Sequence, residues 1–456
     1  MAGERRPSGD RPPVAVRVAR AGDGAVRVTA ATGGAEAGGG AGAAFARLVL
    51  DVAGAVLRWP GGVRALADGA GSGLPSARIH DVSAAQEWLW ALYGVPVAAA
   101  VQACALGEAG AAADLPAQPG PLTVAATRLA YGHWAARWWP ASFPDRIPAL
   151  AADLLGLERA ASTYRCQQLF DGSGEQFDDC AAELIEEHEA GLDPLIAWWH
   201  GGVRDTASAG RVERILRLVD AAADGAGLDG PALRGLRTAL DRRPPGTEAG
   251  PPRPSPDLGA LFARQRDYAL AAGDPSAAGG RVIARGTGLN DWRRYPPGAL
   301  DACEDALTWT VRALGARRRI EVEALAGVAG PWGGPPLVAE ITVDGGPAGR
   351  IPLTARGDAL VGQAEVALPA AGPGRIEVGV LLPGFDPGPE PASGAVSGVA
   401  LAADPSADRA ADRAEREAVR GSARRRLARE TPGAAPAPLL AEAAAAAVAA
   451  TDTEDY

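Results

Sequence analysis

A proline-rich segment divides this chain at the point where its pattern of apolar residues changes. Residues 244–257 read PPGTEAGPPRPSPD, a composition that interrupts both helices and central strands. Before this segment, from about Ala43 to Arg243, apolar residues recur at helical spacing, whereas short stretches over 280–403 alternate between apolar and polar residues. We therefore expect a helical region and a β region, joined by a semi-stiff linker.

The region before the linker is predicted to be mainly helical. Alternating valines over 12–32, around Gly22–Gly24, predict a hairpin within an N-terminal segment that ends in a glycine-rich lead at residue 42. A helical domain then follows over 43–243. Its predicted helices cover residues 43–58, 83–106, 121–139, 147–169, 175–199, 208–224 and 230–242.

The region after the linker, 258–403, is predicted to contain a short helix over 258–272 followed by an antiparallel β-sandwich. Asp344-Gly345-Gly346 lies between two alternating runs and is a strong hairpin signal. Short strands with such turns favour a sandwich that is immunoglobulin-like in outline, so the predicted fold class is α+β multidomain. The predicted strands cover residues 308–311, 319–322, 338–343, 351–354, 359–368 and 375–382.

The last segment, 404–456, begins with arginines interspersed among acids and ends in a run of alanines. The charged part predicts a helix that serves as a solvated arm or as a docking element. We expect the alanine-rich tail to be disordered.

Lysine is absent from the chain, and Asn290 is its only asparagine. A coding bias toward GC-rich codons, typical of a high-GC bacterium, accounts for both features. Whatever its cause, the absence of lysine excludes Walker-A phosphate loops, pyridoxal-phosphate enzymes, protein kinases and serine–lysine hydrolases, because each needs a lysine side chain.

Charge and hydropathy limit the partners that we expect. A net charge of −10 disfavours nucleic acid and anionic membrane surfaces. The runs 93–106 and 439–450 are too short to span a bilayer, and no apolar stretch follows the charged first residues. The four cysteines form no C-x-x-C motif, and we expect them to be buried thiols. A cytoplasmic protein without a cofactor is predicted.

One acidic motif suggests metal chemistry. Asp178-Asp179-Cys-Ala-Ala-Glu183 resembles the D-D-x-x-x-[DE] motif of class I terpene cyclases, which implies Mg²⁺ and a substrate diphosphate held inside a helical bundle. The second metal motif of that family has no counterpart, since Asn290-Asp291-Trp-Arg-Arg-Tyr295 lacks its serine. Helical spacing also places Asp179 and Glu183 opposite the apolar stripe of their helix, which favours a solvated acidic face.

Two further groups are candidates for binding a partner or ligand. Tyr131, Trp134 and Trp138 form an aromatic stripe on one helix, which predicts either core packing or a groove for an apolar ligand or a partner helix. The arginines at 317–319 are predicted to lie at a turn between strands. Turn charge explains them, and contact with a phosphate or with an acidic partner is the alternative. These arginines are Arg317, Arg318 and Arg319.

Two classes of function remain open from the sequence. The favoured hypothesis is a non-enzymatic adaptor that binds a protein partner within a cytoplasmic assembly, because the layout is modular and no catalytic constellation stands out. The alternative is a small-molecule-binding protein or a Mg²⁺-dependent enzyme that uses the helical domain.

Overall fold

A computed structural model describes twelve stretches of the chain. The linker at 244–257, the short helix predicted at 258–272 and the glycine-rich lead lie outside the described residues. The described stretches are residues 14–30, 43–68, 73–108, 114–171, 177–201, 206–242, 280–315, 317–330, 332–366, 374–385, 405–428 and 437–454.

The first region contains an antiparallel sheet as well as helices. The predicted hairpin forms its centre and is confirmed. The six strands follow the order β3-β4-β5-β2-β1-β6. They are β1 (Val14–Arg20), β2 (Val26–Ala30), β3 (Val49–Val52), β4 (Ala55–Arg58), β5 (Ser76–Ile79) and β6 (Asp114–Ala117).

The helix predicted over 43–58 is wrong. A single 3-10 turn at Ala44–Ala46 is followed there by the β3–β4 hairpin. Gly54, in this hairpin's turn, adopts φ 70°. A Cβ at this position would lie 2.1 Å from the carbonyl oxygen of Asp81, so a helix-forming residue does not fit. The alternating burial of β4 marks a half-buried strand.

Helices follow and cover the sheet. The helix predicted over 83–106 is broken at Gly94, whose φ is 91°, into two helices. Asp81 caps the first of them by accepting from the backbone N–H groups of Ser83 and Ala84. The helices are α1 (Gly62–Asp68), α2 (Val82–Tyr93), α3 (Val95–Leu106), α4 (Pro121–Trp138), α5 (Ala152–Arg165), α6 (Phe177–Glu187), α7 (Leu192–His200), α8 (Thr206–Gly225) and α9 (Pro231–Asp241).

The second region consists of two antiparallel sheets, so the fold class is α+β. The Asp344–Gly345 turn forms the predicted hairpin, with positive φ at both residues. One sheet has the order β12-β13-β9-β8-β7 and the other β11-β10-β14. The strands are β7 (Arg281–Thr287), β8 (Leu307–Leu314), β9 (Arg317–Leu325), β10 (Val338–Val343), β11 (Gly346–Pro352), β12 (Thr354–Arg356), β13 (Ala359–Glu365) and β14 (Ile376–Leu381).

In the last segment, one of the two alternatives for the charged helix and the prediction of a disordered tail are wrong. The charged helix α10 (Pro405–Leu427) is not a solvated arm, because three of its arginines are 1–3% exposed. The tail is not disordered where it is described, because it forms α11 (Leu440–Glu454) and its first residues join the core. Both helices make ion pairs with distant residues, which spacing along the chain does not reveal. One core cluster contains residues of both regions and of these helices.

Candidate functional site

Two residues of the aromatic stripe of α4 are buried, and one of them, Tyr131, is in contact with the chain's own C-terminal helices. Tyr131 and Trp134 are 2% and 4% exposed, and their rings stack with centroids 5.4 Å apart. The Tyr131 hydroxyl donates to Glu442 of α11 at 2.7 Å, and the Arg426 guanidinium of α10 lies 4.3 Å from the Tyr131 ring centroid. Burial raises the pKa of Tyr131 well above its usual value and the charge of Glu442 adds to this, so the hydroxyl keeps its proton.

Two buried glutamates hold α11 in place. Glu442 accepts two hydrogen bonds from Arg426, at 2.6 and 2.7 Å, and one from the backbone N–H of Leu439. Glu158 of α5 accepts from the backbone N–H of Ala441 at 3.1 Å and from Arg128 at 2.6 Å. Carboxylates at the start of a helix satisfy its unpaired N–H groups, so the alanine-rich helix has a fixed docking position.

Trp138, the third residue of the stripe, lies apart from the other two. Its ring is only partly buried and meets Phe45 edge-on, at 6.3 Å between centroids. The guanidinium of Arg137 stacks on it at 3.9 Å. The sequence pattern therefore groups three aromatic residues that the structure divides between two environments.

Arg317, Arg318 and Arg319 lie at the start of β9. Arg317 pairs with Glu365 of β13 at 3.0 Å, and both side chains are more than half exposed. Arg318 donates to the backbone carbonyl of Gly315 at 2.9 Å. Arg319 lies in register between Arg312 and Glu365. These are exposed strand and turn contacts, which contribute little stability.

The acidic motif lies at the start of α6. Glu183 is exposed, opposite the buried Ala181 and Ile185, as the helical spacing predicts. The side chains of Asp178 and Asp179 lie outside those that the structure describes. Within the described residues, no three His, Cys, Asp or Glu side chains are placed to hold a metal ion. The prediction of a buried thiol is wrong for Cys180, which is exposed on this helix.

The α2–α3 face is the surface that the sequence analysis missed. Gln86 donates to Gln102 at 2.6 Å across the outer side of these two helices, and Trp90 lies one turn further along α2. On α3, residues at helical spacing continue the surface. Trp90 is 53% exposed, Val95 70% and Leu106 62%. We define the α2–α3 face as Trp90, Val95, Ala99, Gln102 and Leu106.

The α2–α3 face is uncharged, and the charged residues next to it in the sequence are acidic. All 12 residues of α3 are uncharged, although 22% of the chain is charged. No arginine occurs from residue 81 to residue 120, whereas Asp81, Glu87 and Glu108 are all exposed in that stretch. Exposed apolar side chains that form one contiguous patch mark an interaction surface, whereas single ones do not. The sequence does contain a signal for this face, because α3 has no charged residue and its large apolar side chains recur at helical spacing.

Comparisons with protein-family models, with curated proteins and with solved structures gave no match to this chain. None of the described helices combines the length and the apolar character that crossing a membrane requires.

Proposed function

We propose that this protein is a non-enzymatic adaptor in a cytoplasmic assembly and that the α2–α3 face binds its protein partner. The observation that carries the proposal is the exposure of Trp90, Val95 and Leu106 on one uncharged surface. Tryptophan is one of the residue types that supply most of the binding free energy at the centre of an interface, and apolar neighbours such as Val95 and Leu106 help to exclude water around it. Two antiparallel helices side by side form a groove that suits a third helix.

The charges around the face favour one kind of partner. An amphipathic helix with an apolar stripe and flanking basic residues would place cations beside Glu87 and Glu108. A second copy of this chain fits less well, because the exposed acids would face each other and each chain carries a net charge of −10. We therefore propose a heterologous partner that presents a basic amphipathic helix.

The β region supports the same proposal. Its two antiparallel sheets contribute side chains to one core. We propose an immunoglobulin-like sandwich for this region, an architecture that commonly serves as a binding module. In that arrangement the helical region would bind one partner while the β region is free to bind another.

The test is affinity purification of the tagged full-length chain from its own cells, followed by crosslinking. The wild type is compared with a face variant, Trp90→Ser with Leu106→Ser, and with a matched control, Phe143→Ser, whose side chain is 68% exposed outside the face. We expect a stoichiometric partner that the face variant loses and the control keeps. Crosslinks should map to a partner segment that has an apolar stripe and basic flanks.

Three results would contradict the proposal. The first is a stoichiometric partner that the face variant retains. The second is a wild-type chain that is monomeric and without a partner. The third is a wild-type chain that dimerises while the face variant is monomeric in sedimentation, because the occupant of the face would then be a second copy.

A further inference from the structure

An arginine that has no carboxylate partner among the residues that the structure describes lies where the two regions meet. Arg137, at the end of α4, has its guanidinium 3.9 Å from the ring centroid of Trp138 and 5.1 Å from that of Phe385, which follows β14. Its Nη2 donates to the backbone carbonyl of Trp292 at 3.2 Å. Trp138 and Phe385 are both partly exposed, so solvent reaches the rings on either side of this guanidinium.

The other arginines at this junction differ from Arg137 because each pairs with at least one carboxylate. Arg293 pairs with Asp291 and Asp412, while Arg416 and Arg420 both pair with Glu304. Among the described residues, no carboxylate lies within ion-pair distance of Arg137. Burial lowers the pKa of Arg137 to about 10, as expected for a desolvated cation whose charge no carboxylate balances.

Two more donors at the junction lack acceptors. The indole Nε1 of Trp292 and the Nη1 of Arg416 are buried without a hydrogen-bond partner, in side chains that are 6% and 1% exposed. Tyr295 lies close enough to both Arg137 and Arg416 for each of their charges to act on its hydroxyl. Buried donors are nearly always satisfied in folded proteins, so the two unsatisfied donors of Trp292 and Arg416 call for an acceptor at this junction.

We propose that this junction binds a small organic monocarboxylate, whose carboxylate accepts from Arg137 and whose apolar part lies against Trp138 and Phe385. The planar guanidinium matches a carboxylate in a two-point contact. One negative charge is enough to balance the guanidinium of Arg137, so we expect a monocarboxylate to bind more tightly than a phosphate dianion. This site is separate from the α2–α3 face and does not depend on the adaptor proposal.

Calorimetric titration of the full-length chain tests the charge requirement. The probes are benzoate and hexanoate, with benzamide as the neutral analogue and inorganic phosphate as the alternative anion. Binding of either carboxylate should weaken at least tenfold in Arg137→Met, which keeps an apolar side chain on the rings. It should not change in Arg285→Met, because Arg285 is an exposed arginine of β7. Benzamide and phosphate should bind at least tenfold more weakly than benzoate.

Indole N–H resonances locate the site and remain informative if Arg137→Met fails to fold. Trp292→Phe keeps a ring, removes one donor and identifies the Trp292 signal. That signal should move on addition of carboxylate, while the signal of Trp332, which donates to the carbonyl of Pro335, should stay fixed. In the titration, the proposal is overturned if neither carboxylate binds saturably or if Arg137→Met binds them as tightly as the wild type. It is also overturned if benzamide or phosphate binds as well as benzoate. In the spectra, it is overturned if the Trp292 signal does not move when carboxylate is added.

Discussion

Two helix faces in the first region of this protein present large apolar side chains, and only one of them is covered. The face of α4 with Tyr131 and Trp134 lies beneath α10 and α11, and the hydrogen bond from Tyr131 to Glu442 joins residues 311 positions apart. The α2–α3 face has no such cover within the part of the chain that the structure describes. Both places have large apolar side chains at helical spacing, and the cover over Tyr131 comes from residues distant in sequence.

The two faces also differ in how charge is used. The covered face buries the carboxylates of Glu158 and Glu442, each satisfied by arginine and by a helix N-terminus. A buried ion pair contributes little net stability but penalises any misplacement, because a displaced partner leaves an unpaired charge. The α2–α3 face has only a neutral hydrogen bond between glutamines. The covered face is therefore specific for one segment, whereas the open face can accept a partner without separating buried charges.

The largest expected effect comes from breaking the covered face. Glu442→Gln removes the anion that Arg426 contacts and leaves a guanidinium that is 3% exposed without its counter-charge. We expect the free energy of unfolding to fall by about 3–5 kcal/mol. Urea titration followed by circular dichroism measures this free energy. Detachment of α11 should also shift the tryptophan emission to longer wavelength, because water then reaches Tyr131 and the Trp134 ring that stacks on it.

The matched control for this variant is Glu365→Gln. Glu365 also pairs with an arginine, Arg317 at 3.0 Å, but both side chains are more than half exposed. Exposed pairs contribute less than about 1 kcal/mol. If both variants lost the same free energy of unfolding, the ion pair of Glu442 would contribute no more to stability than an exposed ion pair does.

A second pair of variants compares the buried and exposed sides of the α2–α3 hairpin. Leu92 of α2 is fully buried, whereas Leu106 of α3 is 62% exposed. Leu92→Ala should cost about 2–5 kcal/mol, because it removes buried methyl groups and leaves a cavity. Leu106→Ala should change the free energy of unfolding by less than about 0.5 kcal/mol. Urea midpoints of the isolated protein give both values, and a large loss for Leu106→Ala would mean that its side chain is covered in solution.

Much of the fold follows from local patterns in the sequence. The 3.6-residue period over 208–224 and 230–242 predicts α8 and α9, and the Asp344–Gly345 signal predicts its hairpin. These elements form where composition and periodicity agree, because each needs only its own turn chemistry and one apolar face. The hairpin of β3 and β4 was missed because its residues also suit a helix, and the close contact of Gly54 with Asp81 is a long-range feature.

The candidate sites could be predicted only in part. The solvated position of Glu183 follows from helical spacing. The burial of Arg416, Arg420 and Arg426 does not, because an arginine-rich helix has the composition of a solvated one until its carboxylate partners are brought to it. The sequence also does not predict that Arg137 lacks a carboxylate partner among the described residues, because the tertiary fold decides which arginines the nearby carboxylates pair with.

Among the destabilising effects expected here, the one with the lowest upper limit is a pH dependence on a third side of α4. It sharpens the comparison because it reports whether water reaches that side. His133 faces α5, where the Nη2 atom of Arg159 lies 3.3 Å from the Nδ1 atom of His133. Burial, together with the positive charge of Arg159, lowers the pKa of His133 to about 4. As the pH falls from about 6.5 to 4, His133 becomes protonated in the unfolded chain before it does so in the folded chain. The free energy of unfolding therefore falls by at most about 3 kcal/mol.

Other carboxylates titrate near the lower end of that range, so the measurement must compare the wild type with His133→Asn, whose amide oxygen can still accept from Arg159. Urea titrations at several pH values should show that the wild type loses stability from pH 6.5 downward and that the variant loses less, whereas the two curves run parallel above pH 7. Parallel curves throughout would mean that His133 takes up its proton with an ordinary pKa, and that this side of α4 is open to water as the α2–α3 face is.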